Sequence, residues 1–138
     1  MQSLAGGRVF VASLEEAEEL VRPEAMGAYA RHRIMGVLTV AHDVRPRCVS
    51  TLPHLSLPVE ELVPTPPAWF DLACRFQHVV QGPLLVHCHG GRNRCRVFAA
   101  ALLFRAWQMG LQDAIQEAGP PAGPCLDSML AWARTAFG

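Results

Sequence analysis

Pro83-Leu84-Leu85-Val86-His87-Cys88-His89-Gly90-Gly91-Arg92-Asn93-Arg94 lies near the middle of the chain. Its first residues are a short apolar run opened by proline, the pattern of a buried strand. A mostly apolar segment from Cys95 to Trp107 follows, interrupted by Arg96 and Arg105, and it suits a helix covered by others. Cys88 is thus expected at the end of a strand, and Arg94 six positions later where a helix begins. A tight loop at a helix N-terminus points successive backbone N–H groups at one spot, which makes an anion site. A thiol at the base of such a cradle is driven towards thiolate, and an arginine at its rim can grip a phosphate through two N–H groups. Gly90 and Gly91 let the backbone curl so that those amides converge. The expected chemistry of such a stretch is attack on a phosphate ester by sulfur.

The rest of the composition sets the frame. The 138 residues are enough for one domain with a real hydrophobic core, and we read 1–138 as that domain. Hydrophobic residues make up 51% and charged residues 17%, which fits a globular protein rather than a disordered one. The formal net charge is zero, so bulk electrostatics gives no reason to expect nucleic-acid or membrane binding. All twelve basic residues are arginine. Residues 1–8 lack the basic start and apolar core of a secretory signal, and no apolar stretch has the length of a transmembrane helix. Five cysteines, at 48, 74, 88, 95 and 125, are scattered without the spacing of a disulfide framework. Together these features point to a reducing cytoplasm.

Outward from the central loop, strands and helices alternate. Arg8–Ala12 reads as a first strand, and Ser13 as an N-cap followed by Glu15, Glu16, Glu18 and Glu19. Acids suit a first helical turn, though the same run also reads as a solvated face. A second helical piece is expected from about Pro23 to Arg31, a buried strand over 34–40, and another strand over His54–Leu57 after the Arg45–Pro53 loop. Trp69, Ala73, Phe76 and Val80 recur at helical spacing, so an amphipathic helix should span about 66–81 and end at Gly82-Pro83. Leu111, Ala114, Ile115 and Ala118 mark a short helix, and Leu126, Leu130, Ala133 and Phe137 a last one. The expected class is α/β: a central mixed sheet of four to five strands flanked by helices.

His87-Cys88-x5-Arg94 resembles the signature of the cysteine-dependent protein tyrosine phosphatase superfamily, and the compact chain its dual-specificity branch. Gly36–Val40 is similar to the early core strand of that family, Leu57-Pro58-Val59-Glu60-Glu61 to its general-acid loop, Ala68-Trp69-Phe70 to the start of its next helix, and Ala99–Leu102 to the helix behind the phosphate loop. The resemblance implies hydrolysis of phosphomonoesters through a phosphocysteine. Cys88 would be the nucleophile and Arg94 the phosphate clamp. His89, Gly90, Gly91, Arg92 and Asn93 would supply loop amides, and His87 would tune the thiolate. The phosphorylated substrate, a protein or a small molecule, is the implied partner, with no cofactor and no metal.

Two positions depart from the family pattern. Its general acid is usually aspartate, and the matching residue here is Glu61, with Glu60 as a neighbouring alternative. Glutamate has the right chemistry but one more methylene to accommodate. Cys95 stands where the family usually has Ser or Thr, whose hydroxyl donates to the thiolate; a thiol donates more weakly, so a slower second step is expected. Two adjacent sulfurs also raise a reversible Cys88–Cys95 disulfide, beside the plainer reading of a small buried Cys in place of Ser. His89 and Arg92 put possible positive charge at loop positions where phosphoinositide phosphatases of the superfamily carry lysines. A phosphoinositide or other small-molecule phosphatase therefore remains an alternative, as does a weakly active phosphate-binding pseudophosphatase. A rhodanese-like sulfur carrier fits less well because its loop is usually shorter and lacks this arginine. A metal site at His87-Cys88-His89 fits poorly because adjacent ligands give poor tetrahedral geometry.

Overall fold

The computed structural model describes residues 1–20, 27–44 and 52–137. Among these residues, five strands form one sheet in the order β1-β2-β5-β3-β4, with six helices around it. The strands are β1 (Gln2–Leu4), β2 (Val9–Ala12), β3 (Gly36–Val40), β4 (His54–Leu57) and β5 (Leu84–His87). β2, β5, β3 and β4 run parallel, and β1 closes one edge antiparallel to β2. The sheet is mixed, as the alternation of strand and helix patterns implies. Pro23 and Cys48 lie outside the described residues.

β1 is the element that the sequence reading missed. It is three residues long, and Gln2 and Ser3 show no apolar pattern. What holds it is the turn after it, where Ala5, Gly6 and Gly7 all take positive φ and Leu4 O accepts from the amides of Gly7 and Arg8. Gly6-Gly7 between two short runs was the available signal of a hairpin.

α1 (Leu14–Leu20) starts with a reciprocal capping box: Glu16 N–H donates to Ser13 Oγ, and Ser13 N–H donates to Glu16 Oε1. The Ser13 cap and the acid three residues later thus locate this terminus. α2 spans Gly27–His32, and α3 (Pro67–Val80) ends on Gln81 in the left-handed conformation, one residue before Gly82. α4 is Arg94–Arg105, slightly shorter than the apolar run suggests. α5 (Leu111–Glu117) and α6 (Pro124–Phe137) complete the chain.

Alternation along the strands sorts the core into two layers. Val9, Val11, Leu38, Val40, Leu84 and Val86 face a large cluster shared with the helices from α3 onward. Phe10, Ala12, Val37 and Leu85 face a smaller cluster that includes Ala17 of α1. α4 packs against β2, β5 and β3 as well as α3, α5 and α6, and its residues from Val97 to Leu103 have no solvent exposure. That is why its sequence is apolar all round. β5 enters the sheet between β2 and β3, so the crossovers on either side leave a crevice at its carboxyl end, where open parallel sheets bind ligands. No helix among the described residues is long and apolar enough to cross a membrane.

Candidate active site

Residues 88–93 connect β5 to α4 at that crevice, with Cys88 first and Arg94 opening the helix. Cys88 is 2% exposed. Gly91 is required twice over: its φ is +72°, and a Cβ there would come 2.7 Å from the Ser13 amide nitrogen. Gly90 is different, with open space around it and no positive φ.

The loop carbonyls are held by donors on surrounding elements. Cys88 O accepts from His87 Nδ1 at 3.2 Å, His89 O from Leu14 N–H at 2.9 Å, and Gly91 O from Arg96 Nε at 3.1 Å. Asn93 O accepts from Val97 N–H at 2.9 Å inside the first helical turn. In a planar trans peptide the C=O and the next N–H point in opposite directions. Pinning these carbonyls therefore turns the amides of His89, Gly90, Arg92 and Arg94 to the other side of the loop. Arg96 also reaches Ala118 O at 3.0 Å and Gln2 Oε1 at 2.9 Å, tying the loop to the α5 end and to β1.

The Cys88 thiol falls from an ordinary 9.0 to about 5. The largest cause is the Cys95 thiol, which donates to the sulfur; the amides of Cys95 and Gly91 and the Arg94 charge add to it, against burial, which alone would raise the value. Cys95 itself is held well above the usual thiol range, first by this hydrogen bond and then by burial, so it keeps its proton. Cys74 and Cys125 are buried free thiols whose values are pushed up to about 11 by desolvation.

Arg94 is 5% exposed and meets two carboxylates. Nη1 donates to Asp43 Oδ1 and to Val59 O, each at 2.9 Å, and Nη2 is 3.5 Å from Asp43 Oδ2. Nε is 3.0 Å from Glu61 Oε2, but its N–H is not aimed at that oxygen and has no hydrogen-bond partner among the described residues. The contact is coulombic, and the Nε–Nη2 edge keeps its donor capacity. That edge is the fork that matches two oxygens of a phosphate.

Glu61, the acid expected from the sequence, does lie beside the loop. Its Oε1 accepts from Asn93 Nδ2 at 2.7 Å, and its side chain is 44% exposed. Glu60, the neighbouring alternative, is exposed. Asn93 acts through its side chain: Nδ2 also donates to Ala122 O at 2.7 Å, and Oδ1 accepts from Ala122 N–H at 2.8 Å, clamping the segment before α6. His89 and Arg92 are exposed on the rim, with His89 Nδ1 3.8 Å from Asp43 Oδ2.

Asp43 is the site residue that the sequence reading missed. It follows β3, and the Arg94 hydrogen bond holds its carboxyl below the ordinary value of 3.8 despite some burial. The missed signal was position: an acid three residues past a parallel strand sits where such sheets assemble their sites.

No protein-family model matches the chain, and no curated protein matches it by sequence. Solved structures do match. Human DUSP28 superposes with a TM-score of 0.78 at 20% identity, covering 94% of each chain. The chain has the dual-specificity phosphatase fold. Human tyrosine phosphatase-like serine/threonine/tyrosine-interacting protein follows with a TM-score of 0.75 at 16% identity, covering 95% of this chain and 94% of its own. PTPMT1, solved in complex with PI(5)P, matches with 0.69 at 16% identity over 94% of this chain and 92% of its own.

Proposed function

We propose that residues 1–138 act as one protein phosphatase domain of the dual-specificity or tyrosine type, hydrolysing phosphomonoesters through a phosphocysteine. The observation that carries this reading is the buried Cys88 sulfur, hydrogen-bonded by Cys95 and Gly91, at the base of a loop closed by buried Arg94, whose Nε–H has no hydrogen-bond partner among the described residues. Loop amides and guanidinium bind the three non-bridging oxygens, whose charge persists through a loose transition state. The Cys88 thiolate attacks phosphorus, the S–P bond forms and the P–O bond to the leaving group breaks. Glu61 gives that oxygen its proton. In the second step Glu61 takes a proton from water, the water oxygen attacks phosphorus, and the S–P bond breaks to restore the thiolate and release phosphate. A reducing cytoplasmic setting would keep the nucleophile intact.

A phosphorylated small molecule, phosphoinositides included, is the second reading, supported by exposed His89 and Arg92 at the rim and by the fold shared with PTPMT1 in complex with PI(5)P. Asp43 and Glu61 weigh against a multiply phosphorylated ligand, since they already oppose the Arg94 charge. Turnover of phosphopeptides, phosphoinositides and p-nitrophenyl phosphate, without added metal, tests the proposal. Metal-independent turnover with a burst and preference for phosphopeptides supports it. Preference for phosphoinositides supports the second reading. Vanadate binding without turnover or burst would make the protein a phosphate-binding pseudophosphatase.

A further inference from the structure

A hydrogen-bond chain runs across three adjacent strands, from the sheet edge to the nucleophile's own peptide group. His54 on edge strand β4 is exposed; its Nε2 lies 2.7 Å from Thr39 Oγ1. Thr39 on β3 has no solvent exposure, and the same hydroxyl lies 2.8 Å from His87 Nε2 on β5. His87 is equally buried, and its Nδ1 meets Cys88 O at 3.2 Å. The register explains the alignment. Thr39 is directly opposite His87, and His54 opposite Val37, which shares the Thr39 face of β3.

The direction of every bond in the chain is determined. A carbonyl only accepts, so His87 Nδ1 carries a hydrogen. Burial lowers the His87 value to about 4, so the ring is neutral and Nε2 is bare. The Thr39 hydroxyl must then donate to Nε2, leaving its oxygen to accept from His54 Nε2–H. We propose that His54 is a positioning residue: by supplying the donor that orients the Thr39 hydroxyl, it fixes the tautomer of His87 and so the outward turn of the Cys88 carbonyl. That turn points the His89 amide into the phosphate cradle. The inference rests on the phosphatase reading of the cradle and assigns the anion site a support outside the signature loop. Protonation of His54 leaves its Nε2–H in place, so the device orients rather than switches.

The test uses the full chain with 15N-labelled histidine, in wild type, His54→Phe, His54→Gln and Thr39→Val, with orthovanadate as the anion probe. Gln offers an amide N–H near the place of Nε2–H; Phe offers none. Wild-type His87 should show the Nδ1–H tautomer. His54→Phe and Thr39→Val should show a mixture of tautomers and bind vanadate about threefold to tenfold more weakly, and His54→Gln should restore both. An Nδ1–H tautomer that persists in His54→Phe and Thr39→Val overturns the proposal. So does a tautomer that shifts while vanadate affinity stays unchanged. Wild-type protein that binds no vanadate at all would instead sink the phosphatase reading, while the tautomers would still report on the relay.

Discussion

Two parts of the site face the same guanidinium and are built in opposite ways. The loop after β5 is buried at Cys88 and Arg94, and its carbonyls are tied to β5, α1 and α4. The residues after β3 and β4 bring two carboxylates, Asp43 and Glu61, each more than a third exposed. The half to which the proposed function assigns the phosphoryl group is preorganised, so little reorganisation is left for the moment of reaction. The half to which the proposed function assigns proton transfer is open to solvent, where glutamate's extra methylene is easier to accommodate than in a closed pocket. On that proposal, an acid that is Glu rather than Asp leaves the cradle undisturbed.

The sharpest way to break this contrast is to spoil the rigid half. Arg94→Lys keeps a charge but loses the planar fork, and turnover should fall about 10^3-fold with every substrate alike. A loss confined to some substrates would mean that the clamp lies elsewhere. On the open half, Glu61→Gln should slow alkyl phosphates by about 10^2-fold to 10^3-fold yet slow p-nitrophenyl phosphate less than tenfold, because that leaving group needs no proton. Equal slowing of both would remove Glu61 from the proton-donor role.

Gly91→Ala probes rigidity itself. Strained φ and a clash with the Ser13 amide should cost about 2–3 kcal/mol, read as a lower midpoint in denaturant titration. Asp43→Asn removes the charge that steadies Arg94 but keeps an acceptor, so turnover should fall about tenfold to thirtyfold, mostly in kcat. An unchanged kcat would show that Val59 O and the loop alone orient the guanidinium. The mildest variant is Cys95→Ser. A hydroxyl donates better than a thiol, and phosphocysteine breakdown should quicken about twofold to fivefold, seen as a smaller burst relative to the steady rate.

The same contrast explains what was legible in the sequence. Cys88, Gly91 and Arg94 belong to one loop whose spacing along the chain is also its spacing in space. Ser13 and Glu16 announced α1 through a local capping exchange. Glu61 was reachable only through the resemblance of Leu57–Glu61 to an acid loop. Asp43 was reachable only through its place just past a parallel strand, because sheet order rather than sequence distance brings it to Arg94. His54 and Thr39 read as ordinary strand residues until the register of β4, β3 and β5 lined them up with His87. β1 was hidden because its stability comes from its partner strand and its turn.

The central claim concerns the charge on one sulfur, and the rate of Cys88 alkylation by iodoacetamide as a function of pH measures it directly. Because the folded thiol lies at about 5, below its ordinary 9.0, reactivity should rise through that pH, level off by neutrality, and be suppressed by vanadate. A rate that stays low until the solution reaches about pH 8.5, the range of an unassisted thiol, would contradict the account.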